Sequence, residues 1–197
     1  MRMLIASGNK GKVRELKAML EPFGVEAVSP HAIGGLPEVE EDGDTFEANA
    51  AKKAVEAAMA IGIPVFADDS GLEVRALGGA PGVLSARYAG LGASDADLVN
   101  KLLRALAGVP DRAARFVCVI AVATPDGDCK TFRGEIKGQI LDTPKGESGF
   151  GYDPIFVPDG YSLTFAELTP DIKNKISHRA QALKLALPEL VAMAKKG

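Results

Sequence analysis

The residues that decide the fold are MLIASGNKGKVRELKAMLEPF, positions 3–23. A short apolar run leads into Ser7, two glycines and two lysines. Apolar residues then recur every three or four positions, which is typical of one buried helical face. The members of that face are Val13, Leu16, Met19 and Leu20. Pro22 and Gly24 are residues that commonly end a helix. The stretch therefore predicts a strand, a tight turn and an amphipathic helix.

The same alternation continues to residue 69. VEAVSP (25–30) predicts a second strand, and DTFEANAAKKAVEAAMAIG (44–62) predicts a second helix with Asp44 or Thr45 as its N-cap. PVFADD (64–69) is a third apolar run, which ends in two acids. Strands that alternate with helices at this spacing predict an α/β fold with a partly parallel sheet.

The middle of the chain changes character. GLEVRALGGAPGVLSARYAG (71–90) is too irregular for one element and predicts a short strand followed by a long loop. SDADLVNKLLRALAG (94–108) predicts a capped helix. Two β-rich runs within 114–141 are joined by Pro125-Asp126-Gly127, which predicts a hairpin and therefore a mixed sheet.

The last quarter predicts one loop and one helix. PKGESGFGYDPIFVP (144–158) is rich in glycine and aromatic residues and predicts a loop, whereas SHRAQALKLALPELVAMAKK (177–196) predicts an amphipathic helix capped by Ser177. The sequence contains no internal repeat, no low-complexity tract and no obvious linker. A single domain over residues 1–197 is therefore expected.

Composition narrows the classes of partner. The formal net charge is −3, so no overall positive field attracts a nucleic acid polymer or a membrane surface, and a small phosphorylated ligand is the better match for a local group of lysines. Cys118 and Cys129 fit neither a disulfide framework nor a zinc site, and Cys118 lies in a predicted buried strand. No apolar run approaches the roughly 18 residues of a membrane span, so a cytoplasmic protein is predicted.

The turn at residues 7–12 has the context of an anion site. A strand enters a glycine turn, and the helix that follows offers backbone N–H groups and the positive end of its dipole. It is not a Walker A loop, because only two residues separate Gly8 from Gly11 and Val13 follows Lys12. The alternative is an ordinary strand-to-helix turn with surface lysines, and the local residues leave both interpretations open.

Two groups of carboxylates could bind a cation. EVEEDGDTFEANA (38–50) places Glu38, Glu40, Glu41, Asp42 and Asp44 ahead of a helix. For any one of these acids, a solvated loop is the stronger interpretation. Asp68 and Asp69 are different, because adjacent carboxylates after an apolar strand repel each other unless a cation offsets them. Mg²⁺ usually takes one or two carboxylates together with substrate phosphates.

Two later stretches suggest ligand contacts. In GFGYDPIF (149–156), Phe150 and Tyr152 stand between glycines and could stack on a base, although aromatic residues in such a turn more often fill the core. KNKISHRAQ (173–181) places several cationic side chains around a predicted helix N-terminus, which is unfavourable unless an anion binds there. These side chains are Lys173, Lys175, His178 and Arg179. The alternative is a basic patch that faces solvent.

Taken together, six stretches resemble one family. SGNKGKVRE, TFEANA, ADDSGLEV, GAPGVLSARYAG, GFGYDPIF and ISHRAQAL have the order and spacing of the inosine/xanthosine triphosphate pyrophosphatases. The resemblance runs from residue 2 to about residue 190. It implies an elongated mixed β-sheet flanked by helices, in two lobes with a central active-site cleft. It also implies a Mg²⁺-dependent homodimer that converts ITP, dITP or XTP to the monophosphate and pyrophosphate.

The resemblance also assigns residues. It places the triphosphate on a loop made of Ser7, Gly8, Asn9, Lys10, Gly11 and Lys12. The catalytic acid and metal ligand falls on Asp69, with Ser70 contacting substrate, and Glu40 or Glu41 completes the metal site. The nucleoside end falls on Phe150, Gly151, Tyr152, Asp153, Lys173, His178 and Arg179. Many bacterial members have Thr in place of Ser7 and an acid in place of Ala48.

The expected chemistry is attack of water on the α-phosphorus. Lys10 and Lys12 would hold the triphosphate, and either Asp69 or Asp68, itself a further candidate metal ligand, would orient or deprotonate the water. His178 and Arg179 can both donate to a 6-oxo purine, which disfavours ATP but does not exclude GTP. A different nucleotide hydrolase or phosphotransferase, and a nucleotide-sensing module without turnover, remain as alternatives.

Overall fold

The computed structural model describes residues 2–36 and 39–194, so Glu38, Lys195 and Lys196 lie outside the described residues. The described chain contains six strands and five α-helices. The strands are β1 (Arg2–Ile5), β2 (Glu26–Val28), β3 (Val65–Val74), β4 (Ala113–Ala123), β5 (Cys129–Ile140) and β6 (Phe156–Pro158). The helices are α1 (Lys10–Leu20), α2 (Phe46–Ile61), α3 (Asp95–Ala105), α4 (Pro170–Ile176) and α5 (His178–Ala194).

The strands form one mixed sheet in the order β2-β1-β3-β4-β5-β6. β1 runs parallel to both β2 and β3, whereas β5 and β6 are antiparallel. β4 and β5 are joined by the predicted hairpin turn, in which the Thr124 N–H donates to the Asp128 carbonyl. The prediction of a mixed α/β sheet with helices is confirmed, and the cleft between two lobes stays a prediction.

The chain divides into two compact units. Unit 1 comprises Met1–Asp69, Cys118–Gly134 and Arg179–Gly197, and unit 2 comprises Ser70–Val117 and Glu135–His178. In unit 1, residues of α1 and α5 pack with strand residues in one hydrophobic core. In unit 2, α3 packs with strand residues and with the segment 152–168 in a second core. Each unit therefore has its own apolar interior.

The predictions for the first two helices are confirmed. In α1, Leu16, Met19 and Leu20 are buried as the periodicity requires. α2 begins after Thr45, whose hydroxyl accepts from the Ala48 N–H, so Thr45 is the N-cap and Asp44 is not. Burial raises the pKa of the Cys118 thiol to about 12, so it stays a neutral core side chain as expected.

The predicted end of the third strand is wrong. β3 does not end at the two acids but runs on to Val74, so Asp68 and Asp69 lie within the strand. The strand can continue because Leu72 and Val74 fill the core of unit 2. After it come short 3₁₀ turns at Arg75–Leu77 and Gly82–Arg87, where the sequence predicted a separate strand and a loop.

Two predictions near the C-terminal end also need correction. The predicted loop 144–158 contains the short strand β6, which pairs with β5. Lys173 and Lys175 do not stand at a helix N-terminus, since α4 ends at Ile176 and Ser177 separates it from α5 in an extended conformation. Both lysines lie in the last turn of α4, where the helix dipole favours cations.

Candidate functional site

The charged cluster of unit 1 is built around the two aspartates of β3. Both carboxylates are buried, with exposed fractions of 0% for Asp68 and 4% for Asp69. Lys12, from the first turn of α1, places its Nζ 3.1 Å from Oδ2 of Asp68, and Nε of Arg179 lies 3.8 Å from the same oxygen. The lysine-bearing turn and the acid pair, which the expected chemistry places on the same substrate, therefore meet.

These cations decide the charge of Asp68. Burial by itself would raise the pKa of Asp68, but the charges of Lys12, Arg179 and Lys53 outweigh it and lower the pKa to about 2. Adjacent buried carboxylates thus persist in a strand because the protein supplies its own compensating cations. Cations do offset the repulsion within the pair, as the sequence predicts, and those found here are side chains.

Lys53 is a functional candidate that the sequence analysis missed. It lies on α2, with its Nζ 2.6 Å from Oε1 of Glu41 and 3.7 Å from Oδ1 of Asp69. Glu41 rather than Glu40 therefore faces Asp69, because Glu40 is exposed and its charge acts on Lys52. The sequence feature that could have indicated Lys53 is its spacing, because it follows Asn49 by four positions and so lies on the same face of α2, where Asn49 is buried.

Asp69 differs from its neighbour in its protonation behaviour. Burial raises the pKa of Asp69, and the nearby Glu41 carboxylate adds to this, while Lys53 and Lys12 only partly oppose it. Burial alone would lower the pKa of the Lys53 ammonium, but Asp69, Asp68 and Glu41 together raise it. Asp69 is therefore the better proton acceptor of the pair, and Asp68 is held as a fixed anion.

The turn at residues 7–12 is ordered by its own side chains. The Asn9 carboxamide accepts from the Lys12 N–H at 3.0 Å and so caps α1, and the Asn9 N–H donates to the Ser7 hydroxyl at 3.3 Å. Gly8 and Lys10 are exposed, whereas Ser7, Gly11 and Lys12 are partly buried. Lys12 is thus fixed by Asp68, and Lys10 extends into solvent.

Arg179 is held by a second residue that the sequence analysis missed. Its Nη1 donates to Oε2 of Glu15, and both side chains are buried. Glu15 follows Lys12 by three positions on α1, so the two residues lie on the same side of the helix. Arg179 therefore bridges α1 and the acid pair within unit 1.

The aromatic cluster of unit 2 surrounds a single buried ion pair. Nζ of Lys173 contacts Oδ2 of Asp153, and the same oxygen accepts from the Phe150 N–H at 2.9 Å. The Lys173 ammonium also lies over two rings, 4.9 Å from the centroid of Phe150 and 5.4 Å from that of Phe165. Gly149 has φ +81°, and a Cβ there would stand 2.1 Å from Oδ2 of Asp153, so glycine is required.

The two aromatic residues of this loop have different environments. Tyr152 belongs to the core of unit 2, and its hydroxyl donates to the carbonyl of Ser85 at 2.9 Å. The core-filling alternative therefore describes Tyr152. Phe150 and Gly151 are partly exposed. Phe150 is thus the ring of the two that retains accessible surface.

His178 completes the aromatic cluster. Its ring stacks on Phe116 at a centroid distance of 4.8 Å and an interplanar angle of 12°. Phe116 stacks in turn on Phe165, which lies beneath Lys173. The structure therefore brings Lys173, Asp153, Phe150 and His178 into one continuous set of contacts. Ser70, at the start of unit 2, is partly buried in β3.

The donor set of the charged cluster fits a hard divalent cation. Within residues 2–36 and 39–194, no group of three or more His, Cys, Asp or Glu side chains is arranged to hold a metal. Glu41 and Asp69 nevertheless converge on one cation, the Lys53 ammonium. Two carboxylates are what Mg²⁺ takes when phosphates supply further ligands. The arrangement can therefore bind a polyanion together with a cation.

Comparisons with known proteins agree with this description. The family model described as the Ham1 family matches residues 3–189. A protein of Syntrophobacter fumaroxidans named dITP/XTP pyrophosphatase is 55% identical over 181 residues, which is 92% of this chain and 78% of that protein. A protein of the same name from Desulfotalea psychrophila is 50% identical over 192 residues, covering 96% and 86% of the two chains.

A solved structure, described as that of the Staphylococcus aureus Ham1 protein, has the same fold. It superposes with a TM-score of 0.85 at 44% identity, over 98% of this chain and 99% of that one. The mixed sheet and the charged cluster thus define an α/β protein with a buried, cation-compensated acid pair. The chain belongs to the Ham1 family. Among the described residues, no helix has the length and apolar character to cross a membrane.

Proposed function

We propose that this chain is a nucleoside triphosphate pyrophosphatase, which hydrolyses the non-canonical purine nucleotides dITP, XTP and ITP to the monophosphate and pyrophosphate. Such an activity would keep deaminated purines out of nucleic acids. The observation that carries the proposal is the charged cluster, in which Lys12 and Lys53 stand beside Asp68 and Asp69. The similar Ham1-family proteins are named dITP/XTP pyrophosphatase, which supports the choice of substrate.

The triphosphate end of the substrate is assigned to unit 1. The turn from Ser7 to Lys12 opens α1, where the helix dipole and backbone favour an anion. The Lys12 N–H already donates to the Asn9 side chain. The positive charges of Lys10 and Lys12 therefore contribute more to phosphate binding than that N–H does. Lys10 is the exposed charge that can meet the outer phosphates.

Asp69 is proposed as the group that activates water. Its buried carboxylate has a raised pKa, which suits a proton acceptor, whereas Asp68 is fixed as an ion by Lys12. Water would attack the α-phosphorus, its proton would pass to Asp69, and the bond to the bridging oxygen would break as pyrophosphate leaves. Lys12 and Lys53 would offset the charge that develops on the phosphate oxygens.

Magnesium is the proposed cofactor, with Asp69 and Glu41 as its protein ligands. When bound, Mg²⁺ would neutralise charge on the phosphate oxygens during the reaction. Asp68 contributes negative charge beside these ligands, and Lys53 would have to yield part of its contact with Glu41. The carboxylate set and the convergence of Glu41 and Asp69 on one cation support this choice.

The nucleoside end is assigned to the aromatic cluster of unit 2. Phe150 offers a partly exposed ring on which a base can stack, and Asp153 and Lys173 fix the loop that carries it. His178 supplies a donor that suits the 6-oxo group of hypoxanthine or xanthine and leaves adenine with a donor facing a donor. The family resemblance adds Arg179 as a second donor, although its guanidinium contacts Glu15 and Asp68 in unit 1. Exclusion of GTP must rest on its 2-amino group.

The test is an assay of the purified chain with ITP, XTP, dITP, GTP and ATP in the presence of Mg²⁺. Monophosphate and pyrophosphate are the expected products from the first three, and turnover should stop when the metal is removed with a chelator. Release of orthophosphate would indicate a different nucleotide hydrolase. Binding without turnover would indicate a nucleotide-sensing module.

Base preference is tested separately with Arg179→Ala. We expect this variant to lose part of its preference for ITP over ATP, because one of the two predicted donors to the 6-oxo group is gone. An unchanged preference would remove Arg179 from base recognition and leave it as a partner of Glu15.

A homodimer and a cytoplasmic location are also part of the proposal. Light scattering of the purified chain tests whether it forms a dimer.

A further inference from the structure

Three consecutive loop residues before α2 are bound one by one to that helix. Nζ of Lys53 contacts Oε1 of Glu41 at 2.6 Å, and Nζ of Lys52 contacts Oδ1 of Asp42 at 2.8 Å. The third contact involves Gly43, which is bound by Asn49 one turn earlier on the helix. The loop that carries Glu41 is therefore laid along the surface of α2.

The Asn49 contact differs from the other two in burial. Asn49 is 1% exposed, and its carboxamide binds both polar groups of Gly43. The Gly43 N–H donates to Asn49 Oδ1 at 2.8 Å, and Asn49 Nδ2 donates to the Gly43 carbonyl at 3.3 Å. A Cβ at Gly43 would stand 2.7 Å from Asn49 Oδ1 and 2.9 Å from the Ala48 Cβ. The loop can approach this closely only because residue 43 is glycine.

Asn49 has a further partner on β3. A carboxamide nitrogen has two hydrogens, so Nδ2 can donate to a second acceptor besides Gly43. The Asn49 side chain also forms a hydrogen bond with Asp69. One buried side chain thus contacts both the loop of Glu41 and the residue to which Glu41 is brought.

We infer that Asn49 is a positioning residue, which holds the backbone at Gly43 against α2 and thereby sets where the Glu41 carboxylate stands relative to Asp69. The inference rests on the proposed function in so far as Glu41 and Asp69 are the metal ligands. Residues that orient metal ligands typically contribute about 10-fold to 100-fold in metal affinity or activity. Lys53 cannot supply the same constraint, because a flexible lysine fixes charge rather than backbone position.

Two variants break the contact from opposite sides, and a third is the matched control. Asn49→Ala removes both hydrogen bonds, and Gly43→Ala pushes the loop away while the Asn49 side chain remains. Lys52→Ala removes an exposed contact between the same helix and the same loop, without a partner in the charged cluster. Thermal unfolding of all three variants is measured first, to verify that each is folded under the assay conditions.

The first measurement is independent of turnover. Hydrogen exchange of the backbone over residues 39–45 is expected to accelerate at least tenfold in Asn49→Ala and Gly43→Ala and to stay near wild type in Lys52→Ala. The second is the dissociation constant for Mn²⁺, followed by electron paramagnetic resonance in the presence of pyrophosphate. Mn²⁺ binding is expected to weaken in the same two variants, so that the dissociation constant increases by about 10-fold to 100-fold.

Wild-type exchange in Asn49→Ala, or equal Mn²⁺ binding in Asn49→Ala and Lys52→Ala, would overturn the inference. A purely structural role would lower stability but leave the Mn²⁺ affinity of the folded fraction unchanged, and that result also contradicts it. Failure of the inference about Asn49 can be distinguished from failure of the proposed function. If the wild-type chain released no pyrophosphate from ITP, the proposed function would be rejected. The exchange data would still report on the loop.

Discussion

The two clusters bury charge in opposite ways. In unit 1, two adjacent carboxylates share three cations, which come from α1, α2 and the start of α5. In unit 2, one lysine and one aspartate form a single pair, and aromatic rings surround the lysine. The charged cluster has several alternative partners for each ion, whereas the aromatic cluster has one dominant pair.

The two arrangements of charge suit different parts of a ligand. A cluster with several cations and anions can exchange partners when a polyanion and a metal enter, since each charge it loses is replaced by another. A single pair packed against rings cannot exchange in this way, but it presents a fixed shape beside a π-surface. The first arrangement suits a triphosphate and the second suits a nucleobase.

The largest expected effect is on turnover in unit 1. Asp69→Asn keeps the size of the side chain but cannot accept a proton, so kcat for ITP should fall by about 100-fold or more. Release of pyrophosphate measures it. Asp42→Asn is the matched control, because Asp42 is an exposed acid of the neighbouring loop and pairs with Lys52. A fall of less than tenfold in Asp69→Asn would mean that another group activates the water.

The next effect is on stability in unit 2. Lys173→Met leaves the buried Asp153 carboxylate without its ammonium partner, so the free energy of unfolding should fall by about 3–5 kcal/mol. Denaturant titration measures the change. Lys130→Met, which breaks an exposed pair with Glu189, should cost under about 1 kcal/mol. Equal effects of the two substitutions would show that the buried pair of the aromatic cluster contributes no more to stability than an exposed pair does.

Lys53→Met tests whether a metal ion can replace a cationic side chain in the charged cluster of unit 1. Without metal, Glu41 and Asp69 lose a shared cation, and we expect a loss of about 1–3 kcal/mol, because the cluster is partly open to solvent. Added Mg²⁺ should restore most of this loss, so the rise in Tm with Mg²⁺ should be larger in the variant than in the wild type. An equal rise would show that the metal does not replace the lysine.

The smallest effect is expected at Tyr152. Tyr152→Phe removes the hydrogen bond to the Ser85 carbonyl but keeps the ring in the core, so stability should fall by about 1 kcal/mol. Tyr161→Phe is the comparison, since Tyr161 is exposed. No difference between the two variants in denaturant titration would show that the buried hydroxyl contributes nothing to unit 2.

The local elements were predictable because neighbouring residues encode them. The spacing of Leu16, Met19 and Leu20 is enough to place α1, and Ser94 with Asp97 forms the capping box that starts α3. The same reasoning failed where an element depends on distant partners. β3 can continue past Asp68 and Asp69 because cationic side chains from distant parts of the chain compensate the two carboxylates, and no local sequence pattern indicates this.

The family resemblance gave the identities of most candidate residues, but not their connections. Glu15 and Arg179 meet although they are 164 positions apart, and Lys53 had no signal beyond its helical spacing. Nor could the sequence separate Glu40 from Glu41, because both flank the same loop and only one of them faces Lys53.

Most strands and helices of the α/β fold, the turn at residues 7–12 and the adjacent acid pair could be predicted from the sequence alone, whereas β6, α4 and the end of β3 could not. Which cations compensate that pair, and which of the two acids has a raised pKa, depend on contacts between distant parts of the chain. The difference arises from the distance along the chain over which each kind of interaction acts. Hydrophobic periodicity and capping act between residues a few positions apart, whereas the charge state of a buried carboxylate depends on every group that the fold brings within a few ångströms.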